Sequence, residues 1–296
     1  MLNELKGYDI DFIFKGKHIH TSRYALPDKV SKLRELGLDV FETFEDGEYL
    51  IYSSQTKQVF YDSIPYGMEG IEDFFDTTWD FSQVTTINSY FRGHDLSKVD
   101  LHDLLFKKAK CLYGLFVAIQ GNCINLSDWN LYNTADLGNM FSCSEVKRIY
   151  LDNWNMQNVV STSSMFSECA AEAISFNGWK NFHPAYINGM FTRSHIKSLK
   201  MCNWDLSKCK DASLFITACE NLESVEFCNC SFGLINAPDF IHDCNELKTV
   251  KFNECIFKSY KTLDIGKHCP NLKQISYTDC VDTEIGQFST LEGVEL

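Results

Sequence analysis

The sequence predicts an α/β protein: a solenoid of 25-residue coils, each adding one short parallel strand, capped by a small N-terminal α/β unit. Three observations carry this expectation. Trp129, Trp154, Trp179 and Trp204 recur every 25 residues, with Trp79 two intervals upstream. A short strand pattern of the Leu-x-x-Val-x-Leu type keeps the same period, and so does a pair of bulky apolar residues. A fixed spacing in this range marks stacked repeats, because one coil cannot bury its own apolar face and needs a neighbour.

The N-terminal unit, residues 1–68, lies outside the period. Asp9 to Phe14 and Lys17 to Thr21 read as strands around Gly16. Pro27 to Gly37 reads as a helix, with proline near its start and glycine past its end. Val40 to Phe44 and Tyr49 to Ser53 flank Asp46-Gly47, a hairpin signal, and a further strand is expected at Gln58 to Tyr61. The role expected of this unit is to cover the open end of the solenoid.

The solenoid itself, residues 69–296, is expected to hold about eight to nine coils. Its strand ladder includes Val146/Ile149/Leu151, Ile196/Leu199/Met201, Leu222/Val225/Phe227, Leu247/Val250/Phe252 and Leu272/Ile275/Tyr277. One residue inserted near Asn221 changes the interval once, to 26. The tryptophan ladder passes to Cys230, Cys255 and Cys280 in the last three coils. The apolar pair runs from Tyr90-Phe91 through Met140-Phe141, Met165-Phe166 and Met190-Phe191 to Phe240-Ile241. Coils stacked about 4.8 Å apart would place like on like, giving continuous aromatic and thiol columns in the core. Asn153, Asn203 and Asn229, just before the Trp/Cys position, are expected to bond exposed backbone groups where the chain turns.

Trp79-Asp80-Phe81-Ser82-Gln83-Val84-Thr85-Thr86-Ile87-Asn88-Ser89-Tyr90-Phe91 resembles the repeat signature of BspA-like leucine-rich repeats, a type common in bacterial and mycoplasma surface proteins. Trp154-Asn155-Met156, Met165-Phe166-Ser167-Glu168-Cys169 and Trp204-Asp205-Leu206-Ser207-Lys208 repeat parts of it, so the resemblance covers about residues 70–296. It implies a right-handed, leucine-rich-repeat-like solenoid used for adhesion or protein recognition. The chain departs from that family in having no secretion signal at its start and in exchanging Trp for Cys.

Composition narrows the function classes. Hydrophobic residues make up 45% and charged residues 23%, the balance of a folded globular protein. No apolar run reaches the roughly 18 residues of a membrane span, and with no signal segment the expected location is cytoplasmic. There, the 13 cysteines read as reduced thiols buried as small hydrophobes. No Cys-x-x-Cys occurs, and no nucleotide, hydrolase or zinc-protease motif is present. His18 and His20 share a strand face without a partner at ligand spacing. No enzyme activity, cofactor or metal is therefore expected.

Net charge is −13, and residues 1–90 hold 16 acidic against 8 basic side chains. This balance disfavours direct binding to nucleic acid or anionic lipid and leaves room for a basic protein partner. Two candidate surfaces follow. The outward strand positions form a small, polar strip with Lys98, Asp100, Arg148, Tyr150, Lys200, Glu226 and Lys251 as its larger side chains. Arg148 and Tyr150 are its best anchors, because Arg and Tyr are enriched at interface hot spots. The alternative surface is acidic: Asp39, Glu42, Glu45, Asp46 and Glu48, then Glu69, Glu72, Asp73 and Asp76. The leading expectation is a non-enzymatic protein-recognition module. The alternative is an acidic inhibitor, of a phage or mobile-element type, that blocks a basic nucleic-acid-binding enzyme. A surface adhesin without its leader is the third reading, and oligomeric state is open.

Overall fold

The computed structural model describes residues 9–22, 26–42, 49–62, 80–84, 87, 91–93, 95–96, 106–233, 237–259, 263–283 and 286–288. Strands β1 (Asp9–Phe14) and β2 (Lys17–Ser22) pair antiparallel about the turn Lys15-Gly16, where both residues take positive φ. Helix α1 (Val30–Glu35) follows a 3-10 turn opened by Pro27, whose fixed φ suits a helix start. It stops at Gly37, φ +89, where Gly37 N–H bonds Arg34 O and Leu38 N–H bonds Leu33 O. Those two bonds form a Schellman cap, which satisfies carbonyls that the helix end leaves open.

Strands β3 (Asp39–Glu42), β4 (Tyr49–Ser53) and β5 (Gln58–Asp62) make an antiparallel sheet. The expected Asp46-Gly47 turn lies outside the described residues. Alternation splits this sheet between two cores. Val40, Tyr49, Ile51 and Phe60 pack with Phe12, Phe14 and Leu33 in a small separate core. Leu50 and Val59 join the core of the solenoid instead. At its edge, Val59 N–H bonds Asp80 O and Asp80 N–H bonds Lys57 O, so β5 continues into the first stacked turn. A sheet with one buried face on each side is well suited to covering an apolar cross-section.

From residue 106 the coils stack in register. Strands β6 (Cys123–Asn125), β7 (Arg148–Tyr150) and β8 (Ala173–Ser175) form a parallel sheet. Strand β9 (Ser198–Cys202) starts a second one with Ser224–Cys228, Thr249–Asn253 and Gln274–Thr278. Ser198 faces Ser224, then Ser224 faces Thr249, which places the single 26-residue interval where the sequence has it. In the last coils two further sides also become parallel sheets, one containing Asp205–Leu206, Ser231–Phe232 and Ile256–Phe257, the other Ile216–Thr217, Ile241–His242 and Ile265–Lys267. Gly286–Phe288 pairs antiparallel with Cys280–Asp282 at the far end of the first of these.

The α/β label needs correction. Apart from α1 and the Pro27–Lys29 turn, the described residues contain no helix, and the molecule is a mostly β, parallel-strand solenoid. The physical reason is a set of left-handed corners. One ladder comprises Asp128, Asn153, Gly178, Asn203, Asn229, Glu254 and Asp279, with φ from 51° to 71°. A second holds Ala118, Cys143, Glu168, Arg193, Ala218, Asp243 and His268; a third holds Gly114, Asn139, Ser164, Gly189, Leu214 and Asp239. Up to three such corners per described coil prevent a right-handed helix from propagating. Backbone bonds therefore run between coils, as in Phe116 N–H to Met140 O (2.8 Å) and Phe141 N–H to Met165 O (2.8 Å).

The asparagines do something other than expected. Asn153 Nδ2 donates to Asp128 Oδ1 (3.0 Å) and Asn229 Nδ2 to Asn203 Oδ1 (2.7 Å), so they bond side chain to side chain along the ladder. Their common property is tolerance of the left-handed conformation. Glycine at 178 serves that ladder too: a Cβ there would meet Asn153 Oδ1 at 2.6 Å.

The core columns match the expectation. Trp129, Trp154, Trp179 and Trp204 are buried, with successive ring centroids 6.4, 5.9 and 5.6 Å apart and nearly parallel. Phe91, Phe116, Phe141, Phe166 and Phe191 stack beside them at 5.3 to 5.6 Å. Cys219, Cys244 and Cys269 form one buried column and Cys230, Cys255 and Cys280 another. Ser144, Cys169 and Ser194 extend the first of these upstream: Ser144 Oγ lies 3.9 Å from Cys169 Sγ, and Ser194 Oγ 3.5 Å from Cys219 Sγ.

Candidate functional site

Because the apolar side of each strand is used up in the core, functional groups must come from the outward positions and the corners. Strands β6 and β7 alternate exposed, buried, exposed. Arg148 and Tyr150 therefore project outward, next to Cys123 and Asn125 on one side and Ala173 and Ser175 on the other. Tyr150 is 37% exposed, and neither side chain has a hydrogen-bond or ion-pair partner among the described residues. Small neighbours leave both accessible.

Further along, Lys200, Glu226 and Lys251 stand opposite one another on consecutive strands. Glu226 is internally engaged: its Oε1 accepts from Lys200 Nζ (3.1 Å), Asn253 Nδ2 (2.9 Å) and Cys228 Sγ (3.2 Å). Partial burial pushes its carboxyl up, but the bonds from Cys228 and Lys200 outweigh this and hold it below the usual carboxylate range. Lys251 is exposed. Beside the strip, Lys197 pairs with Glu172 (2.5 Å) and Lys248 with Glu223 (2.9 Å), each one coil apart. Such exposed pairs contribute little stability; among the described strip residues Arg148 and Lys251 carry charges without an ion-pair partner. Lys98 and Asp100 lie outside the described residues.

Of the acidic candidates, only Asp39 can be placed. Its Oδ2 accepts from Ser54 N–H (2.8 Å) and Ser54 Oγ (2.7 Å), closing the turn after β4. The side chain of Glu42, and Glu45, Asp46, Glu48, Glu69, Glu72, Asp73 and Asp76 altogether, lie outside the described residues. Asp80, four residues beyond Asp76, is tied to Ser82 N–H (2.8 Å) and Gln58 Nε2 (3.1 Å). Both described carboxylates thus have local structural partners.

One constellation escaped the sequence reading. Asp243 Oδ1 lies 3.0 Å from His268 Nδ1, and its other oxygen, Oδ2, lies 3.0 Å from His242 Nδ1. The ring nitrogens of His242 are shut off from solvent and neither is in hydrogen-bonding geometry, a mismatch that costs about 1–3 kcal/mol when nothing relieves it. A bulge at Gly266 (φ +89) shifts the local interval, so that Ile241 faces Ile265 while His242 faces Lys267. The signal was present in the period: Asp243 and His268 are one coil apart and so must stack. His18 and His20 on β2 have side chains outside the described residues.

Among the described residues no helix is long and apolar enough to cross a membrane. No curated protein and no solved structure matches the chain. A family model matches residues 55–179 and again 110–226, and the overlap of the two is what a repeating coil allows. Since the matches span 55–226, more than half of the chain, this solenoid belongs to the family described as Mycoplasma protein of unknown function, DUF285.

Proposed function

We propose that the protein is a non-enzymatic recognition module that binds a protein partner through the outward face of its strands, centred on Arg148 and Tyr150. The observation that carries this reading is the pairing of two exposed, unpartnered anchor residues with small neighbours on a rigid, in-register sheet. A guanidinium and a phenol held on strands lose little conformational freedom on binding, and both residue types concentrate binding energy at interfaces. The coils fit a leucine-rich-repeat-like solenoid of the BspA-like type, whose extended surfaces serve recognition. The partner on this reading carries acidic or aromatic groups to meet Arg148, Tyr150 and Lys251. Thirteen free thiols, nine of them buried, fit a reducing, cytoplasmic setting. The acidic-inhibitor alternative gains no specific support from the described residues, where Asp39 and Asp80 serve local turns.

The test is a comparison of wild type with the R148E/Y150A double variant in cross-linked lysate and then with the purified partner. Loss of binding by at least tenfold, with an unchanged melting temperature, supports the strand face. Full binding by the double variant refutes it, and turnover of a small molecule by the purified protein refutes the recognition role altogether.

A further inference from the structure

We propose that His242, Asp243 and His268 bind a divalent transition-metal cation of the zinc, nickel or copper(II) class. The three residues offer two imidazole nitrogens and one carboxylate oxygen, all within 4.8 Å of one another. That donor set suits a borderline cation, with water at the remaining position. Ligands about 2.1 Å from a tetrahedral zinc stand roughly 3.4 Å apart. The two Nδ1-to-carboxylate separations are both 3.0 Å. These contacts go to different oxygens of Asp243, and the donors spread over as much as 4.8 Å, so admitting an ion draws the donors together by up to about 1.4 Å, a movement open to the exposed His268 side chain.

Two features of the surroundings favour a cation. His242 keeps both ring nitrogens from solvent with no hydrogen-bond partner, and a metal at Nδ1 would supply one that the protein does not. The nearby ammonium of Lys267 is paired with Asp239 Oδ1 at 3.0 Å, so its charge is offset. The scaffold also fixes the spacing. Asp243 and His268 occupy successive left-handed corners, the ladder that holds Cys143, Glu168 and Arg193 in earlier coils, while His242 precedes Asp243 on a paired strand. The proposal stands independently of the strand-face reading.

The experiment is titration of the full chain with zinc under reducing conditions, followed by cobalt(II) substitution and visible spectroscopy. One zinc per chain is expected, with a cobalt spectrum that lacks a thiolate charge-transfer band. H268A and D243N should each weaken zinc binding by at least tenfold. Asparagine retains the left-handed tolerance needed at 243, and His268 is exposed, so the melting temperatures of both in chelator should equal that of wild type. Absence of zinc binding by wild type overturns the proposal. So does undiminished binding by H268A, or a thiolate band, which would assign the ion to the cysteines. Because the cobalt spectrum is taken on wild type, a variant that fails to fold leaves the decision intact.

Discussion

Replacing Trp154 and Trp204 separately by phenylalanine should give unequal losses of stability, although both indoles are buried in the same column. Trp154 Nε1 donates to Leu126 O at 2.6 Å, and Trp179 repeats the bond to Leu151 O at 2.8 Å. Trp204 is the next rung, yet its Nε1 is buried without a partner. The equivalent acceptor position there, one coil beyond Leu151, is Phe176, whose ring packs 5.4 Å from Trp179 and 5.7 Å from Trp204. Trp→Phe removes similar ring volume at both sites, so the packing losses largely cancel in the comparison. At 154 the change also forfeits a hydrogen bond worth about 0.5–1.5 kcal/mol net. At 204 it removes an unsatisfied donor whose burial costs about 1–3 kcal/mol. Trp154→Phe should therefore be less stable than Trp204→Phe by about 2 kcal/mol or more. Urea unfolding at equilibrium, followed by far-UV circular dichroism, measures the difference directly, with unchanged slopes required for the comparison. Equal losses, or a greater loss at 204, would refute the idea that indole donors stitch one coil to the carbonyls of the one before.

Trp154→Ala should lose about 3–5 kcal/mol, the scale of a large-to-small core change, whereas Tyr150→Ala on the outward face should stay within about 0.5 kcal/mol; thermal and urea melts separate the two. Gly233→Ala should be strongly destabilising, because the new Cβ would lie 2.1 Å from Ser207 O, a backbone atom that cannot yield without moving its coil; a soluble variant that melts like wild type would contradict this. Burial pushes the Cys169 and Cys209 thiols up to about 11 from the ordinary 9.0. The folded form thus keeps its protons where the unfolded chain releases them, so this stability is intact below pH 9 and is lost as pH rises towards 11; urea midpoints at pH 8 and pH 10 should fall accordingly. A thiol reagent at pH 8 should modify exposed Cys123 and Cys143 first and reach the buried columns only after denaturant is added; uniform labelling of the native protein would argue against the buried columns.

Much of the architecture could be read because the coil is short and each residue meets its own equivalent. The strands Asp9–Phe14, Tyr49–Ser53 and Gln58–Asp62 were also legible, since local alternation and turn residues define them. The helical component was over-read, for a local reason: a left-handed corner held by Glu168, Arg193 or Leu214 has no marker in residue type, unlike one held by glycine or asparagine. The site was legible only in part. Alternation placed Arg148 and Tyr150 on the outer face, but that Glu226 is engaged by Asn253 and Cys228 depends on side-chain reach across coils. The histidine pair does not show in the repeat, because His242 and His268 differ by 26 residues and meet only through Asp243, the neighbour of one and the coil-equivalent of the other.

The exchange of tryptophan for cysteine after residue 204 conserves both donor and volume. Cys230, Cys255 and Cys280 direct their thiols at the carbonyls of Met201, Phe227 and Phe252, at 3.4 to 3.5 Å. These carbonyls close each strand motif, as Leu126 and Leu151 do where the indoles bond. The space given up by the indole is refilled from two sides: Phe227, Phe252 and Tyr277 stack at 5.0 and 5.1 Å, and Phe232 and Phe257 stack at 5.0 Å, meeting the first column edge-on. Most earlier coils carry an aliphatic residue or methionine at the first position, Leu126, Leu151 and Met201, and at the second, Leu131, Met156 and Leu206; the Trp179 coil is the exception, with Phe176 and Phe182 packed on its indole. Ring volume thus moves from the corner to its flanks while the interior stays densely packed. It follows that Cys255→Trp alone should be destabilising despite restoring the repeat's own residue, because Phe252 and Phe257 already fill the space. Leucine at both 252 and 257 together with Cys255→Trp should recover part of the loss. Three single-variant effects that simply add in urea unfolding would show the columns to be independent, and the compensation argument would fail.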